Sequence, residues 1–386
     1  MDCNYQYIDT DSELVKISNQ LRSSTFLSVD TEFIRERTYY PQLCLIQIAN
    51  EDLVACIDPI AIKNLDPLRD LLLTPDILKV FHAAHQDMEI FYHLWGELPK
   101  PVYDSQIAAT LLGFGESIGY ASLVKQVLGM DVDKSHTRTD WSRRPLSPEQ
   151  LQYAADDVRH LATLYPLQKS RLETLGRLEW LSRDFINLSD PIRYAPDPEN
   201  MWRKVKGVNK LKRRQLAVLQ ALAAWREEQA MKLDRPRRRI VSDEVLVDLA
   251  RLQPGTLSDF SQHRGIPAVI VKTYGEVLLD IIKAGQKRPE SSWPSLPSKP
   301  SLTPDQEAIS DALAALVKLI SAQTQISSAS LATHKELESL VRGDRNLNVL
   351  QGWREQYVGK RLLDFLEGES SLSVDKGKLD LNSLKK

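Results

Sequence analysis

The chain has 386 residues and a net charge of −2, and its 42% apolar and 26% charged residues are typical of a soluble globular protein of two or three domains. No segment reaches the roughly 18 consecutive apolar residues of a membrane span, and the acidic N-terminus lacks the apolar core of a secretory signal, so we expect neither a membrane protein nor a secreted one. The three cysteines are scattered and odd in number, which argues against a metal cluster or a disulfide framework and favours reduced thiols in a cytoplasmic protein.

Residues 1–170 alternate strand-like and helix-like segments. Period-two alternation and short apolar runs predict five strands, at 26–33, 43–49, 53–58, 79–83 and 101–104. The first three follow one another closely, as in an antiparallel meander, whereas helical segments separate the later ones. This order predicts an α/β fold with a mixed five-stranded sheet and flanking helices. Ser147 and Gln150 have the spacing of a capping box, which predicts the start of a further long helix.

The rest of the chain is predicted to be helical. A connector (171–208) leads to a first helical unit (209–290), and a linker rich in Ser and Pro (291–304) leads to a second one (305–372). RRIVSDEV and YGEVLLD in the first unit correspond in order to QTQISSAS and VGKRLLD in the second, which indicates a duplication. Residues 373–386 are expected to form a frayed polar tail.

Charge is unevenly distributed along the chain. Residues 201–290 carry 19 Lys or Arg against 10 Asp or Glu, a net charge of +9, which leaves −11 for the remaining residues. The candidate phosphate-binding residues in this region are Lys212, Arg213, Arg214, Arg237 and Arg238. Such a basic region indicates salt-sensitive binding to the backbone of a nucleic acid. A solvated charged surface is the alternative.

Two acids, Asp30 and Glu32, lie near the end of the first predicted strand. Because residues two apart in a strand project to the same face, both carboxylates point the same way. In a partly buried place they repel each other unless a proton or a cation neutralises them. Oxygen ligands favour a hard divalent ion, Mg²⁺ or Mn²⁺. The alternative is a strand end with two solvated acids, because a D-x-E pattern alone is common.

Other candidate residues lie on predicted helices. Asp87 opens a helix directly after the fourth predicted strand, at the carboxyl edge of the sheet, although an acid also suits any helix N-terminus. Tyr153 and Asp157 are four residues apart and share one helical face. Asp156 points about 100° away and is expected at the surface.

Three short motifs carry a family resemblance: D-T-E at 30–32, H-A-A-H-Q-D at 82–87 and Y-A-A-D-D at 153–157. They resemble the exonuclease motifs of the DEDD superfamily of 3′→5′ exonucleases, in its tyrosine subclass. Longer stretches, such as DTEFIRERTYYPQLCLIQIA and FHAAHQDMEIF, are similar to the ribonuclease D family. The unit 209–290 resembles the helicase-and-RNase-D C-terminal (HRDC) domain, and the unit 305–372 resembles a second, diverged copy. The resemblance implies a ribonuclease H-like exonuclease domain over 1–170, followed by two all-α HRDC-type domains.

The resemblance also implies a catalytic site, formed by Asp30, Glu32, Asp87, Asp157 and Tyr153. The four acids would bind two divalent cations, and the tyrosine would orient the attacking water. Asp104 is the alternative to Asp87, which is preferred because it matches the second motif. His82 and His85 are expected to be structural, because a site of oxygen ligands does not need them.

The implied activity is that of a monomeric 3′→5′ exoribonuclease. It would trim the 3′ ends of structured RNAs such as tRNA precursors by two-metal hydrolysis and release 5′-mononucleotides. Nucleotide contacts are predicted in loops beside the motifs, at Phe33, Gln42, Trp141 and Arg144. Core packing explains Phe33 equally well, and Arg144 could be solvated.

Two other functions are compatible with parts of the sequence. A DNA 3′→5′ exonuclease would use the same acids, because no preference for a 2′-hydroxyl group is visible in the motifs. A non-catalytic RNA-binding protein would lack one of the acids, and all of them are present. A helicase is excluded, because no G-x-x-x-x-G-K-[ST] sequence occurs.

Overall fold

The computed structural model describes residues 5–133, 139–261, 265–296 and 301–384. Within these ranges, no helix is long and apolar enough to cross a lipid bilayer. The chain folds into two compact units. The first consists of Met1–Glu32, Leu43–Arg193 and Pro300–Lys386, and the second consists of Phe33–Gln42 and Tyr194–Lys299. A short segment of the N-terminal region therefore belongs to the second unit.

A six-stranded sheet forms the centre of the first unit. Its strands are β1 (Gln6–Ile8), β2 (Phe26–Ile34), β3 (Gln42–Ala49), β4 (Val54–Ile57), β5 (Leu78–Phe81) and β6 (Val102–Asp104). They lie in the order β1-β4-β3-β2-β5-β6, with β3 and β4 antiparallel and the pairs β1–β4, β2–β5 and β5–β6 parallel. The predicted mixed α/β sheet is confirmed, with six strands rather than five. The additional strand, β1, was not predicted, because its residues Gln6, Tyr7 and Ile8 lie in a polar stretch without an apolar run or an alternating pattern.

Helices accompany the sheet in the part of the first unit that precedes residue 194. They are α1 (Asp11–Leu21), α2 (Asp66–Leu72), α3 (His85–Trp95), α4 (Ser105–Leu111), α5 (Tyr120–Leu128), α6 (Pro148–Thr174) and α7 (Ser182–Leu188). The predicted capping box starts α6, since the Ser147 hydroxyl accepts the Gln150 N–H at 3.2 Å and the Gln150 side chain accepts the Ser147 N–H at 2.9 Å. Gly96 ends α3 in a left-handed conformation.

The second unit is helical. Its helices are α8 (Arg213–Lys232), α9 (Arg237–Ile240), α10 (Asp243–Leu252), α11 (Leu257–Ser261) and α12 (Ala268–Gln286). Leu222 of α8, Leu249 of α10 and Leu278 of α12 are fully buried in one apolar core. Tyr39, which is distant in sequence, belongs to the same core. The predicted helical region is thus a packed body that includes part of the segment 33–42.

The last part of the described chain returns to the first unit. Its helices are α13 (Pro304–Thr324), α14 (Ser328–Leu331), α15 (His334–Val341), α16 (Gly352–Arg354) and α17 (Lys360–Leu366). Arg177 donates to the carbonyl oxygens of Leu111 at 2.7 Å and Thr324 at 2.8 Å, which joins α4 to α13. Trp180 stacks on Trp353 with 5.2 Å between ring centroids. The segment expected to be a second helical domain therefore packs with the sheet-containing part of the chain.

A β-hairpin follows α17. β7 (Ser370–Asp375) and β8 (Lys378–Ser383) pair in an antiparallel arrangement. Lys376 and Gly377 in the turn have φ of 49° and 78°, as a type I′ turn requires. The expectation of a frayed tail is wrong for these residues. Alternating apolar and polar residues on both sides of a Lys-Gly pair were the signal that could have predicted the hairpin.

Candidate active site

Three carboxylates from distant parts of the sequence meet near the end of β2. Asp30 and Glu32 on β2 and Asp157 on α6 each offer an oxygen atom within 4.8 Å of the others. Asp30 and Glu32 are half-buried, and Asp157 is buried. The same-face prediction for the D-x-E pattern is consistent with this geometry, and α6 supplies a third acid.

Ser28 holds β2 against its neighbours just before the acids. Its hydroxyl group shares its single proton between the carbonyl oxygens of Ala49 in β3, at 3.1 Å, and of Val158 in α6, at 2.8 Å. Ser28 is fully buried, so water does not compete for these bonds. Because Val158 directly follows Asp157, the second bond sets the distance between the strand and the helix that carry the acids.

Tyr153 lies one helical turn from Asp157, as its spacing predicts. Its hydroxyl group forms a hydrogen bond with the Asp157 carboxylate. The Trp141 ring packs beside it, with the ring centroids 6.2 Å apart. Trp141 is only 2% exposed, so stacking on a nucleotide would require it to be uncovered. In this structure Trp141 supports the ring of Tyr153.

Asp87 lies next to these three acids. It is the third residue of α3, is 6% exposed and accepts a hydrogen bond from the Thr31 hydroxyl at 2.5 Å. Thr31 stands between Asp30 and Glu32, so this bond joins α3 to the strand that carries them. Beyond the effect of burial, the charge of Asp30 raises the pKa of Asp87. We call the four residues Asp30, Glu32, Asp87 and Asp157 the acid cluster.

Asp104, the alternative to Asp87, has a structural role. Its carboxylate accepts hydrogen bonds from the backbone N–H groups of Ala83, Ala84, Gln106 and Ile107. The last two belong to the first turn of α4, and the first two precede α3. Ala83 has φ of 59°, which residues other than glycine seldom adopt, and the bonds that the N–H groups of Ala83 and Ala84 donate to Asp104 stabilise it. Asp104 thereby positions the beginning of the helix that carries Asp87.

His82 lies in the second motif and has both ring nitrogens in hydrogen bonds. Nδ1 contacts the Ser105 hydroxyl at 2.8 Å, and Nε2 contacts the carbonyl oxygen of Ile118 at 3.1 Å. Burial lowers the pKa of His82, although the charge of Asp104 opposes this effect. These contacts support a structural role for His82. His85 is the exposed first residue of α3.

Tyr120 is a residue of the site that the sequence did not indicate. Its hydroxyl group donates to the backbone carbonyl oxygen of Asp157, and its ring meets His82 edge-on at 5.3 Å. Burial, followed by the charges of Asp157 and Asp30, raises the pKa of Tyr120 well above its usual value, so the phenol remains a donor. No spacing rule marks Tyr120, because its contact joins two helices that are far apart in the chain.

The acid cluster is unfavourable as four bare carboxylates. Burial raises the pKa of Asp30 to about 7, and burial together with repulsion from the other three acids raises the pKa of Glu32 to about 10. The pKa values of Asp87 and Asp157 are also raised, by burial first and by the charge of Asp30 second. Divalent cations would stabilise the ionised forms that burial disfavours, and an oxygen-only donor set fits Mg²⁺ or Mn²⁺. The residues present therefore suit such ions.

Arg144, a predicted nucleotide contact, is committed within the protein. Its guanidinium group donates twice to Asp58 and once each to the carbonyl oxygens of Cys44, Trp141 and Arg143. These bonds use all five N–H donors of an arginine. Burial raises the pKa of Asp58, but the hydrogen bonds it accepts outweigh burial and lower it. The structure thus gives Arg144 a structural role in place of the predicted substrate contact.

The two other predicted nucleotide contacts lie at the ends of the segment 33–42. Phe33 is half-buried and directly follows Glu32 on β2. Gln42 is exposed and begins β3. As substrate contacts, both residues stay predictions.

The predicted phosphate-binding residues lie in the second unit and differ in exposure. Exposed side chains at the start of α8 are Lys212, Arg213 and Arg214. Arg238 is exposed as well, with an acidic neighbour at 3.4 Å. Arg237, by contrast, is half-buried and forms an ion pair with the buried Glu227. We call the four exposed residues Lys212, Arg213, Arg214 and Arg238 the basic surface.

Two families of known proteins match parts of this chain. Residues 5–173 match the 3′-5′ exonuclease family, and residues 215–282 match the HRDC domain family. The ribonuclease D of Zymomonas mobilis subsp. mobilis is 41% identical over 98% of this chain and 98% of its own length, and that of Gluconacetobacter diazotrophicus is 39% identical over 95% and 94%. The crystal structure of Escherichia coli RNase D, described as an exoribonuclease involved in structured RNA processing, is 34% identical, covers 95% of this chain and 99% of its own, and gives a TM-score of 0.82.

Proposed function

This chain belongs to the ribonuclease D family and is a 3′→5′ exoribonuclease, and from that premise we propose that it trims the 3′ ends of structured RNAs, such as tRNA precursors, by metal-assisted hydrolysis. The products would be 5′-mononucleotides. The observation that carries the proposal is the convergence of Asp30, Glu32 and Asp157, whose oxygen atoms lie within 4.8 Å of one another.

The acid cluster is the proposed site of two divalent cations, Mg²⁺ or Mn²⁺. When bound, such a pair activates the attacking water and stabilises the leaving 3′-oxygen. Asp30 would be a central ligand, because its charge raises the pKa of each of the other three acids. Glu32, Asp87 and Asp157 would complete the ligand set.

Tyr153 is proposed to orient the attacking water. A phenol has a pKa near 10, so it stays protonated at neutral pH and is a poor base. Its hydrogen bond to Asp157 and its contact with Trp141 hold the hydroxyl group at the edge of the acid cluster. A fixed hydroxyl group can align a water molecule without exchanging a proton with it.

The basic surface is proposed to hold the backbone of the RNA. Its exposed cations would add affinity that depends on salt and not on sequence. We extend the phrase "structured RNA processing" from the Escherichia coli relative to this chain on the strength of its similarity over nearly the whole length. RNA shape and an accessible 3′ end would then set specificity.

A monomer in the cytoplasm is the proposed working form. The whole acid cluster comes from one chain, so the site needs no second copy. Cys44 and Cys56 are buried as thiols, which suits a reducing compartment.

A hydrolysis assay with matched strands tests the reaction. The substrate is a 5′-labelled RNA hairpin with a single-stranded 3′ extension, compared with DNA of the same sequence in Mg²⁺, Mn²⁺ or EDTA. We expect the RNA to shorten one nucleotide at a time from its 3′ end, 5′-mononucleotides to accumulate, and EDTA to stop the reaction.

Three results would count against the proposal in different ways. Equal hydrolysis of the DNA would favour the alternative of a DNA exonuclease. Internal fragments would contradict exonucleolytic action. Cleavage that persists in EDTA would contradict the role of divalent cations.

A further inference from the structure

The segment 33–42 directly follows the two acids of β2 in the chain, but it belongs to the second, helical unit. It begins with Phe33, the residue after Glu32, and ends with Gln42, where β3 begins. Phe33 and Gln42, the two candidate nucleotide contacts, are therefore the first and last residues of a segment that packs with the helical unit.

The first attachment joins Tyr39 to the ion pair between the buried Glu227 and the half-buried Arg237. The Tyr39 hydroxyl donates to Glu227 of α8, which is only 1% exposed, and Arg237 of α9 donates to the same carboxylate, at 2.7 Å for its Nη2 atom. The Arg237 guanidinium group also lies over the Tyr39 ring, 5.1 Å from its centroid. Tyr39 itself is 8% exposed.

A bond to the backbone is the second attachment. Oδ1 of Asp234 accepts the N–H groups of both Tyr39 and Tyr40 at 3.0 Å. The rings of Tyr39 and Tyr40 meet edge-on, with 4.8 Å between centroids. Side chain and backbone of the segment are thus both fixed to the helical unit. We call Tyr39, Glu227, Asp234 and Arg237 the clamp.

Glu227 makes the clamp more than a surface contact. A buried carboxylate without partners is strongly unfavourable, so Glu227 favours the arrangement in which both Tyr39 and Arg237 reach it. Exposed ion pairs in the same unit, such as Arg238 with Glu244, contribute little by comparison. The segment therefore has one preferred position, set by α8 and α9.

We propose that the clamp is a positioning device for Phe33 and Gln42, so that the helical unit acts on the hydrolysis of the terminal nucleotide and not only on RNA affinity. This inference rests on the proposed function. Loosening the clamp would let both ends of the segment move while the acid cluster stays intact. A misplacement of about 1 Å at a positioning residue is enough to slow a reaction substantially.

The test uses the full-length chain with Mg²⁺ and a pentanucleotide RNA. Tyr39→Phe removes only the hydroxyl group, and Glu227→Gln removes the charge but keeps the volume. We expect kcat/KM for the pentanucleotide to fall about tenfold in each variant. In a double-mutant cycle the combined variant should lose no more than either single one, because both changes break the same contact.

Asp243→Asn is the matched control. Asp243 pairs with the buried Arg226 at 2.7 Å, next to Glu227 on α8, and the described contacts of this pair do not include the segment 33–42. This control should lower thermal stability as the clamp variants do, yet keep kcat/KM at an assay temperature where all variants are folded. A merely structural clamp would lower stability in all three proteins and leave kcat/KM unchanged.

Two results would overturn the inference. One is wild-type kcat/KM in a folded Tyr39→Phe protein, and the other is an equal loss in the Asp243→Asn control. In both cases a wild-type enzyme that degrades RNA from its 3′ end leaves the proposed function standing. A wild-type enzyme that does not degrade RNA would instead contradict the proposed function itself.

Discussion

The acid cluster and the basic surface use charge in opposite ways. The acid cluster forces like charges together in a place where burial raises the pKa of Asp30 to about 7 and that of Glu32 to about 10. The cations of the basic surface are exposed to solvent, where water and salt screen them. The first arrangement is stable only with protons or metal ions bound, whereas the second is stable without a ligand.

This difference predicts different tolerance to substitution. The acids are held by specific contacts, such as the bond from Thr31 to Asp87 and the bond from Ser28 to the carbonyl oxygen of Val158. A single substitution in the acid cluster should therefore abolish hydrolysis. Each exposed cation contributes only part of the affinity for RNA, so a single substitution in the basic surface should weaken binding without abolishing it.

The largest effect is expected for Asp30→Asn. It removes one charge from the centre of the acid cluster with little change in volume, and kcat should fall by at least about a thousandfold. Single-turnover hydrolysis of a labelled RNA measures the loss, while Kd for the same RNA should stay within about twofold. The matched control is Asp156→Asn, because Asp156 pairs with Arg159 on the same helix as Asp157. Wild-type turnover in Asp30→Asn would remove Asp30 from the mechanism.

The same variant also gives a pH readout. In the metal-free protein the pKa of Asp30 is raised to about 7, so the folded state keeps a proton that the unfolded state has lost. The free energy of unfolding should therefore fall as pH rises from about 4 to 7, and Glu32 should continue the decline towards pH 10. Melting temperatures in EDTA should decline less steeply in Asp30→Asn than in the wild type. Parallel curves would contradict the strained electrostatics of the acid cluster.

Tyr153→Phe, next to the acid cluster, should have a smaller effect than Asp30→Asn. The ring and its contact with Trp141 remain, but the hydroxyl group that is proposed to orient water is lost, and kcat should fall roughly ten- to hundredfold. Metal binding should persist, and the rise in melting temperature with added Mg²⁺ measures it. Tyr165→Phe, at a buried position further along α6, is the control that should retain activity. An unchanged rate in Tyr153→Phe would mean that the phenol does not act on water.

The smallest effect is expected in the basic surface. Replacing Lys212, Arg213 and Arg214 by alanine should raise Kd for single-stranded RNA several-fold and lower the slope of log K against log salt by about 2. Lys272 and Lys283 on α12 and Lys287 directly after it are exposed and allow a control with the same change in net charge. If both triple variants behave alike, net charge alone explains binding, and the basic surface is not a defined site.

Local patterns allowed much of the fold and the acids to be predicted. Alternation marked β2 to β4, a capping box marked the start of α6, and spacings of two and four residues placed Asp30 with Glu32 and Tyr153 beside Asp157. Each of these patterns is written in neighbouring residues, so a periodicity rule can find it.

What could not be predicted depends on residues that are far apart in the chain. Arg144, predicted to contact a nucleotide, donates instead to Asp58, which lies 86 residues away in the chain. Arg237 likewise pairs with Glu227, and Tyr120 reaches Asp157 from another helix. A charged residue next to a motif gives no local sign of whether its partner is RNA or a remote carboxylate.

The return of the chain to the first unit has a consequence for biosynthesis. Domains generally fold in the order in which the ribosome delivers them, and residues 194–299 of the second unit emerge before residues 300–386 complete the first. Until then Trp180 lacks its stacking partner Trp353, and the nascent sheet-containing part is incomplete. A ribosome that stalls near residue 300 would thus present a folded helical body attached to an unfinished enzyme, with apolar surface available to chaperones and proteases.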